Sequence, residues 1–187
     1  FRRVLFRSTA KKNEWLYVFI FRSIIGQYIH AWQLEAKRLT KKGNSVFSFQ
    51  NAMIRFSIWN ILYLSTIGYV YGWSWLPFAL VIAFTGVILL ETINYIEHYG
   101  LRRKILADGK PEMVTAVHSW NSDHEMGRIF LFELTRHSDH HYRASRKYQI
   151  LRHLDESPQL PTGYPGCMLM AAVPPLWFSV MNKRLNK

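Results

Sequence analysis

Apolar residues fall at three- and four-residue steps from Glu14 to Leu39, with Trp15, Val18, Phe19, Ile25, Ile29, Trp32 and Leu39 on one rhythm that Arg22 shares. That period predicts one long amphipathic helix. Lys37, Arg38, Lys41 and Lys42 crowd its carboxyl end, where cations complement the helix dipole, and Gly43-Asn44 supplies the stop. Met53 to Tyr71 then carries a single charge, Arg55, near its start, and approaches the roughly 20 residues that a bilayer core demands. It predicts a membrane helix from which Arg55 snorkels outward. Gly72-Trp73-Ser74-Trp75 reads as a turn whose tryptophans suit a membrane–water boundary, and Leu76 to Tyr95 returns as a second span.

Beyond Tyr99 the pattern turns polar and rich in histidine. Asp108-Gly109-Lys110-Pro111 predicts a turn. Met126 to His141 has helical periodicity, with Ile129, Phe130, Phe132 and Leu134 as its apolar set. Pro158, Pro161, Gly163, Pro165 and Gly166 make Ser157 to Gly166 an irregular connection. Cys167 to Met181 is shorter than a span and is broken by Pro174-Pro175, so it predicts an interfacial or packed segment. No internal repeat or low-complexity tract is visible. The fold class that follows is an all-α integral membrane protein, a transmembrane helical hairpin with a cytoplasmic histidine-rich helical region. Residues 1–52 form the amino-terminal amphipathic, cytoplasmic helix, 53–97 the two membrane helices, and 98–187 the metal-site region with its interfacial carboxyl-terminal segment.

Charge changes this picture less than it first suggests. The 187 residues carry 24 Lys and Arg against 12 Asp and Glu, a formal charge of +12 that ordinarily points to nucleic acid. The cations, however, lie before Phe56 and after Leu101, and the block between holds none. Basic flanks around an apolar block point to a lipid bilayer and not to nucleic acid. By the positive-inside tendency both flanks are cytoplasmic and the tryptophan turn is external, an even number of crossings. A buried helical pair in a soluble protein is the alternative. The lone Cys167 excludes an intramolecular disulfide and a multi-cysteine metal site. No signal peptide is legible, and the absence of an initiator Met at Phe1 suggests a piece of a longer protein.

His137, His140 and His141 stand at i, i+3 and i+4 of the predicted helix, so three imidazoles share nearly one face. Such a set suits iron, copper, zinc or nickel; chance clustering on a wet face is the competing reading. His98 adds a fourth imidazole where the second span ends. Glu91, Asn94 and His98 form one polar stripe on an apolar helix. An ionisable Glu91 inside a span must face protein or serve a function, either as a satisfied structural carboxylate or as support for the metal site. Glu97, Asp123, Glu125, Asp139 and Asp155 are candidates to accept the second imidazole N–H and fix each ring's tautomer. Asp139 lies between two ligand positions and cannot share their direction, which favours a hydrogen-bond role over ligation.

The strings NYIEHYGL (Asn94 to Leu101), HSWNSDH (His118 to His124), ELTRHSDHH (Glu133 to His141) and YQILRHLDESPQLPTGYP (Tyr148 to Pro165), with the closing PPLWFSVMNKR, resemble the signature of the bacterial membrane-bound alkane monooxygenases. The resemblance implies a diiron enzyme of the wider membrane hydroxylase and desaturase group, with a cytoplasmic histidine cage beneath helices that enclose the hydrocarbon. His98, His137, His140 and His141 match iron ligands of that family. His118, His124 and His153 match signature positions in supporting or structural roles, and His30 matches nothing and is expected on a helix surface. The family's other histidine clusters, of the HxxxH and HxxHH kinds, are absent. Four histidines do not hold two irons in the family's manner, so the chain alone is expected to be inactive and the gene product to begin upstream of Phe1.

The activity implied is O2-dependent hydroxylation of the terminal carbon of n-alkanes to primary alcohols. An unactivated methyl group offers no acid–base handle, so a redox metal in a dry apolar pocket is required. The apolar faces of Met53 to Tyr71 and Leu76 to Ile93 are candidates for the channel wall. By the same resemblance the electron donor is rubredoxin, served by a rubredoxin reductase, and the location is the bacterial inner membrane, multi-pass, with the metal site on the cytoplasmic side. Arg102, Arg103, Lys104, Arg143, Arg146 and Lys147 could steer an acidic donor or bind headgroups. Three alternatives stand beside this reading: a xylene-type aromatic-methyl monooxygenase or fatty acid desaturase, a zinc-dependent membrane hydrolase, and a metal-free membrane module.

Overall fold

The computed structural model describes residues 9–107, 109, 111–143 and 145–185. Helix α1 (Leu16–Lys41) begins and ends two residues later than the periodicity predicts. Helix α2 (Ala52–Tyr71) starts where Asn51 caps it, its side chain accepting the Met53 N–H at 2.8 Å while its own amide donates to the Val46 carbonyl. Gly72, with φ of 96°, ends α2 in a conformation that side chains rarely adopt. A single 3-10 turn, Trp73–Trp75, leads into α3 (Leu76–His98), which carries three more residues than expected and so brings Glu97 and His98 onto the helix.

The long helix expected from Met126 to His141 is two short ones, α4 (Glu125–Phe130) and α5 (His137–Tyr142). Phe132 and Glu133 between them have φ of 50° and 62°, and Glu133 donates its N–H to the Arg128 carbonyl at 2.8 Å. The Arg128 guanidinium grips the Glu133 carboxylate with three bonds of 2.8 to 3.2 Å, which locks this left-handed turn. Ile129, Phe130 and Phe132 are 63% or more exposed. Periodicity marks a helix when one face is buried, and no such face exists here.

The irregular connection reaches only to Gly163, because Tyr164, Pro165 and Gly166 open α6 (Tyr164–Ala171), with the proline where a missing N–H costs nothing. α7 (Pro174–Leu185) follows the break that Pro174 imposes. Of the predicted turn at 108–111, Asp108 and Lys110 lie outside the described residues. Gly109 has the left-handed φ of 73° that such a turn needs, and Ile105 and Pro111 bridge across it. The described residues are helical with two isolated bridges and no strand.

Packing does not follow the hydropathy division. Arg22–Leu90 is one compact unit, and the described residues on either side of it form the other. The second unit has an aromatic core of Phe19, Tyr95, Tyr99, Trp120, Tyr164 and Trp177. Several of its polar tips are bonded: Tyr95 donates to the Glu14 carbonyl at 2.6 Å, Trp120 to the Tyr99 carbonyl at 2.9 Å and Tyr164 to Glu97 at 2.7 Å. Gly100, with φ of 72°, leaves the space that the Leu185 side chain fills.

Within Arg22–Leu90, Glu35 joins α1 to α2 by accepting the Ala52 N–H at 2.7 Å, and Arg38 holds that carboxylate and the Gln50 carbonyl. Gly68 lets the Trp73 ring lie against α2. Most other side chains of this unit are exposed, Trp59 at 67%, Ile82 at 73% and Phe84 at 66% among them. Among the described residues one helix, Trp73–His98, is long and apolar enough to cross a membrane. α2 has a similar length but is more polar, carrying Arg55, Asn60, Ser65 and Thr66.

Candidate metal centre

Three imidazoles converge. His98 closes α3 and is 4% exposed, His137 opens α5, and His141 lies one turn further on. Nε2 of His137 is 3.2 Å from Nε2 of His98 and 2.6 Å from Nε2 of His141. One ligating atom from each of the three lies within 4.8 Å of the others. The rings meet edge-on, His98 at 5.0 and 5.1 Å from His137 and His141, which aims nitrogens and not ring faces at the common point. His140 stands beside this group, its ring 5.9 and 5.6 Å from His137 and His141.

α5 has six residues and cannot sustain itself as a helix in isolation, so its orientation is imposed by what it touches. The buried run Ser119–Ser122 is the main support. Trp120 donates its backbone N–H to Glu97 and its indole N–H to Tyr99, at 2.8 and 2.9 Å, which fixes the run to the end of α3. Asn121 accepts the Ser138 N–H at 2.9 Å and Ser138 donates its hydroxyl to Ser119, which fixes the run to α5, and Ser122 donates to the Thr135 carbonyl just before that helix. Asn121 also exchanges backbone bonds with Pro158 and Leu160.

The opposite side of α5 is held by Asp139. Its carboxylate, with no exposed surface, turns away from the imidazoles and takes the Arg146 guanidinium at 2.6 Å and the Arg152 backbone and side chain at 2.9 and 3.2 Å. Burial works to raise its pKa, and these donors overcome it and hold the group below the usual carboxylate value. Asp139 therefore anchors the helix instead of fixing a histidine tautomer. Arg146 is correspondingly withdrawn from the basic docking surface that the sequence suggests.

Burial holds His137 far below the ordinary imidazole pKa, with His141, His98 and His140 adding to the effect. His141 is pushed down to about 3 by burial and by His98 and His140. Both rings are neutral near pH 7, so each carries an unprotonated ring nitrogen, as metal ligation requires. His137 Nδ1 is buried without a hydrogen-bond partner. Closely spaced, neutral, water-poor nitrogens with no thiolate among them fit a metal ion.

A carboxylate and a phenol complete the pocket. Glu97 Oε2 is 3.1 Å from His137 Nε2, and Glu97 Oε1 accepts the Tyr164 hydroxyl at 2.7 Å. Burial, and after it the Glu97 charge, raises the Tyr164 pKa well above the ordinary phenol value, so its hydroxyl is a donor.

The remaining sequence-predicted residues lie around or apart from this group. The His118 ring bonds Glu112 and Thr115, and its carbonyl, not its ring, faces His98 Nδ1 at 3.4 Å. Asp123, His153 and Asp155 form a separate cluster with contacts of 2.7 and 3.2 Å, in which His153 is 41% exposed. His124 is exposed as the residue preceding α4, and Glu125 is exposed on it. Glu91 is buried and Asn94 half-buried on α3, neither in the group of three. His30, expected on a helix surface, is half-buried with both ring nitrogens enclosed. Tyr164, Trp120, Asn121 and Ser138 are the supports that hydropathy and ligand spacing did not single out, although all four sit inside the quoted signature strings.

A fatty acid desaturase family model matches residues 3–169. The chain is 44% identical to alkane 1-monooxygenase 2 of Alcanivorax borkumensis over 179 residues, covering 96% of this chain and 47% of that protein. It is equally similar to alkane 1-monooxygenase 1 of Pseudomonas aeruginosa, 44% identical with the same coverage. The xylene/toluene monooxygenase hydroxylase component of Pseudomonas putida is 27% identical over 94% of this chain and 46% of its own length. The chain thus spans about half the length of the curated relatives it matches. With the family model running through α1 to α6, across all three converging histidines, the chain belongs to the fatty acid desaturase family.

Proposed function

We propose that the protein containing this chain hydroxylates the terminal carbon of n-alkanes, using O2, at a histidine-ligated diiron site. The observation that carries this reading is the convergence of His98, His137 and His141, in a chain 44% identical to proteins named alkane 1-monooxygenase. His98, His137, His140 and His141 are the proposed iron ligands on this chain. Iron, when bound, supplies the oxygen-activating redox chemistry that an unreactive C–H bond demands. The chain's own contribution is to keep neutral nitrogens aimed at one buried point, to hold Glu97 beside it through Tyr164, and to offer apolar helix surface to a hydrocarbon.

The hairpin of α2 and α3 spans the bacterial inner membrane in this proposal, as part of a multi-pass protein with the histidines on the cytoplasmic side. Rubredoxin, reduced by its reductase, delivers electrons at a face that includes the exposed Arg102, Lys104, Arg143 and Lys147. An aromatic methyl group is the second substrate reading, favoured by the match to the xylene/toluene monooxygenase component.

The test uses the full-length protein in membrane vesicles with rubredoxin, its reductase and octane, xylene or an acyl substrate in parallel. Iron bound to the protein and formation of 1-octanol that His137→Ala abolishes are the expected results. Stoichiometric zinc in place of iron, or xylene oxidation without octane turnover, would overturn the proposal.

A further inference from the structure

Glu97 does not stand where a carboxylate supporting a histidine ligand ordinarily stands. Such a group accepts the N–H on the side of the ring away from the metal. Glu97 Oε2 instead lies 3.1 Å from His137 Nε2, the nitrogen that faces His98 and His141, while His137 Nδ1 has no hydrogen-bond partner. The carboxylate is thus on the inner side of the ring. It is held there at two points: the Tyr164 hydroxyl donates to Oε1 at 2.7 Å, and Trp120 donates to the Glu97 backbone carbonyl at 2.8 Å.

Glu97 and Tyr164 are 3% and 2% exposed. Among the described residues the carboxylate meets imidazole and phenol, with no Lys or Arg paired to it. Burial without a cation disfavours the charged form of a carboxylate, because it loses solvation that nothing returns. A metal ion among the three nitrogens would favour that charged form, with Oε2 beside it.

We propose that Glu97, held by the Tyr164 hydroxyl, is the anionic positioning group on the inner face of the histidine-ligated metal centre, and that Tyr164 acts on the metal only through it. This deepens the metal-centre reading and rests on it. One negative charge beside neutral nitrogens favours retention of the cation, and engagement of Oε1 by Tyr164 leaves Oε2 as the oxygen presented to the pocket.

The test compares the full-length iron-loaded protein with Glu97→Gln, Glu97→Asp, Tyr164→Phe and the Glu97→Gln, Tyr164→Phe pair. The readouts are the rate of iron release to a chelator at neutral pH and the Mössbauer spectrum of the bound iron. Glu97→Gln is expected to release iron roughly tenfold faster, the scale seen when a group supporting a metal ligand is lost, and to change the spectrum. Tyr164→Phe, which keeps the buried ring, shifts both in the same direction by less. The pair matches Glu97→Gln alone, and Glu97→Asp recovers part of the retention.

Unchanged release and spectrum in Glu97→Gln, or additive effects in the pair, overturn the inference. If Glu97→Gln does not fold, Tyr164→Phe decides alone: wild-type release and spectrum there also overturn it. A wild-type protein that takes up no iron sinks the metal-centre reading itself, whereas an iron-loaded wild type with insensitive variants sinks this inference only.

Discussion

The two ends of α3 reverse the usual relation between polarity and burial. Its first part is apolar yet open, with Leu80 at 46%, Ile82 at 73%, Phe84 at 66% and Leu90 at 58% exposed. Its last part carries Glu91, Thr92, Glu97 and His98, and all four are buried. In a protein folded in water the first set belongs inside and the second outside. The difference identifies two surroundings along one helix: a part suited to an apolar medium, consistent with membrane association, and a part whose polar groups are enclosed, Glu97 and His98 among them at the converging histidines. Polar side chains buried at the end of an apolar helix are tolerated there for what they hold.

The strongest way to break this contrast is to disturb the enclosed part through its anchor. Asp139→Ala leaves Arg146, only 11% exposed, without its partner. It is expected to destabilise the unit by about 3 kcal/mol, at the low end for a broken buried pair because Arg152, 54% exposed, can turn to water. Chemical denaturation followed by tryptophan fluorescence measures the loss, and a change below about 1 kcal/mol would mean that α5 is held by other contacts.

The open part is challenged by Ile82→Arg. An arginine near the middle of a membrane helix costs about 3 kcal/mol of insertion, so the inserted fraction in a glycosylation-mapping assay should drop while iron retention in the inserted population stays as in wild type. Equal insertion of both proteins would show that this surface meets protein and not lipid.

The smallest effect tests the corner between α1 and α2. The Arg38 guanidinium, and after it the Ala52 N–H, lowers the Glu35 pKa from 4.5 to about 2. A proton therefore binds the unfolded chain more readily, and this contribution to stability is present above about pH 4.5 and lost as pH falls toward 2. Glu35→Gln should flatten the stability profile in that window and leave iron retention at neutral pH unchanged. A variant with the wild-type acid profile would assign the acid sensitivity to other groups.

Much of this was legible in the residues themselves. The long helices and the proline break before α7 follow from period, length and punctuation, which are local properties. Convergence of His98 with α5 was suggested by motif resemblance and not by spacing, since 39 residues separate His98 from His137. The break at Phe132-Glu133 was not legible, because an apolar period looks the same whether its face is covered or open. The anchoring partners of Asp139 were not legible, because Arg146 read as part of a basic surface and the irregular chain between α5 and Arg152 gives no periodicity from which to place either guanidinium. The inner placement of Glu97 depends on Tyr164, 67 residues away.

Trp120 and Asn121 tie the end of α3 to the start of α5 with bonds that each require a particular residue at a particular register. Chain length in this run is therefore as constrained as chemistry. A single-residue insertion or deletion between Ser119 and Ser122 would slide one set of rings past the other by about 3.5 Å, more than the separation of their nitrogens, without altering any histidine.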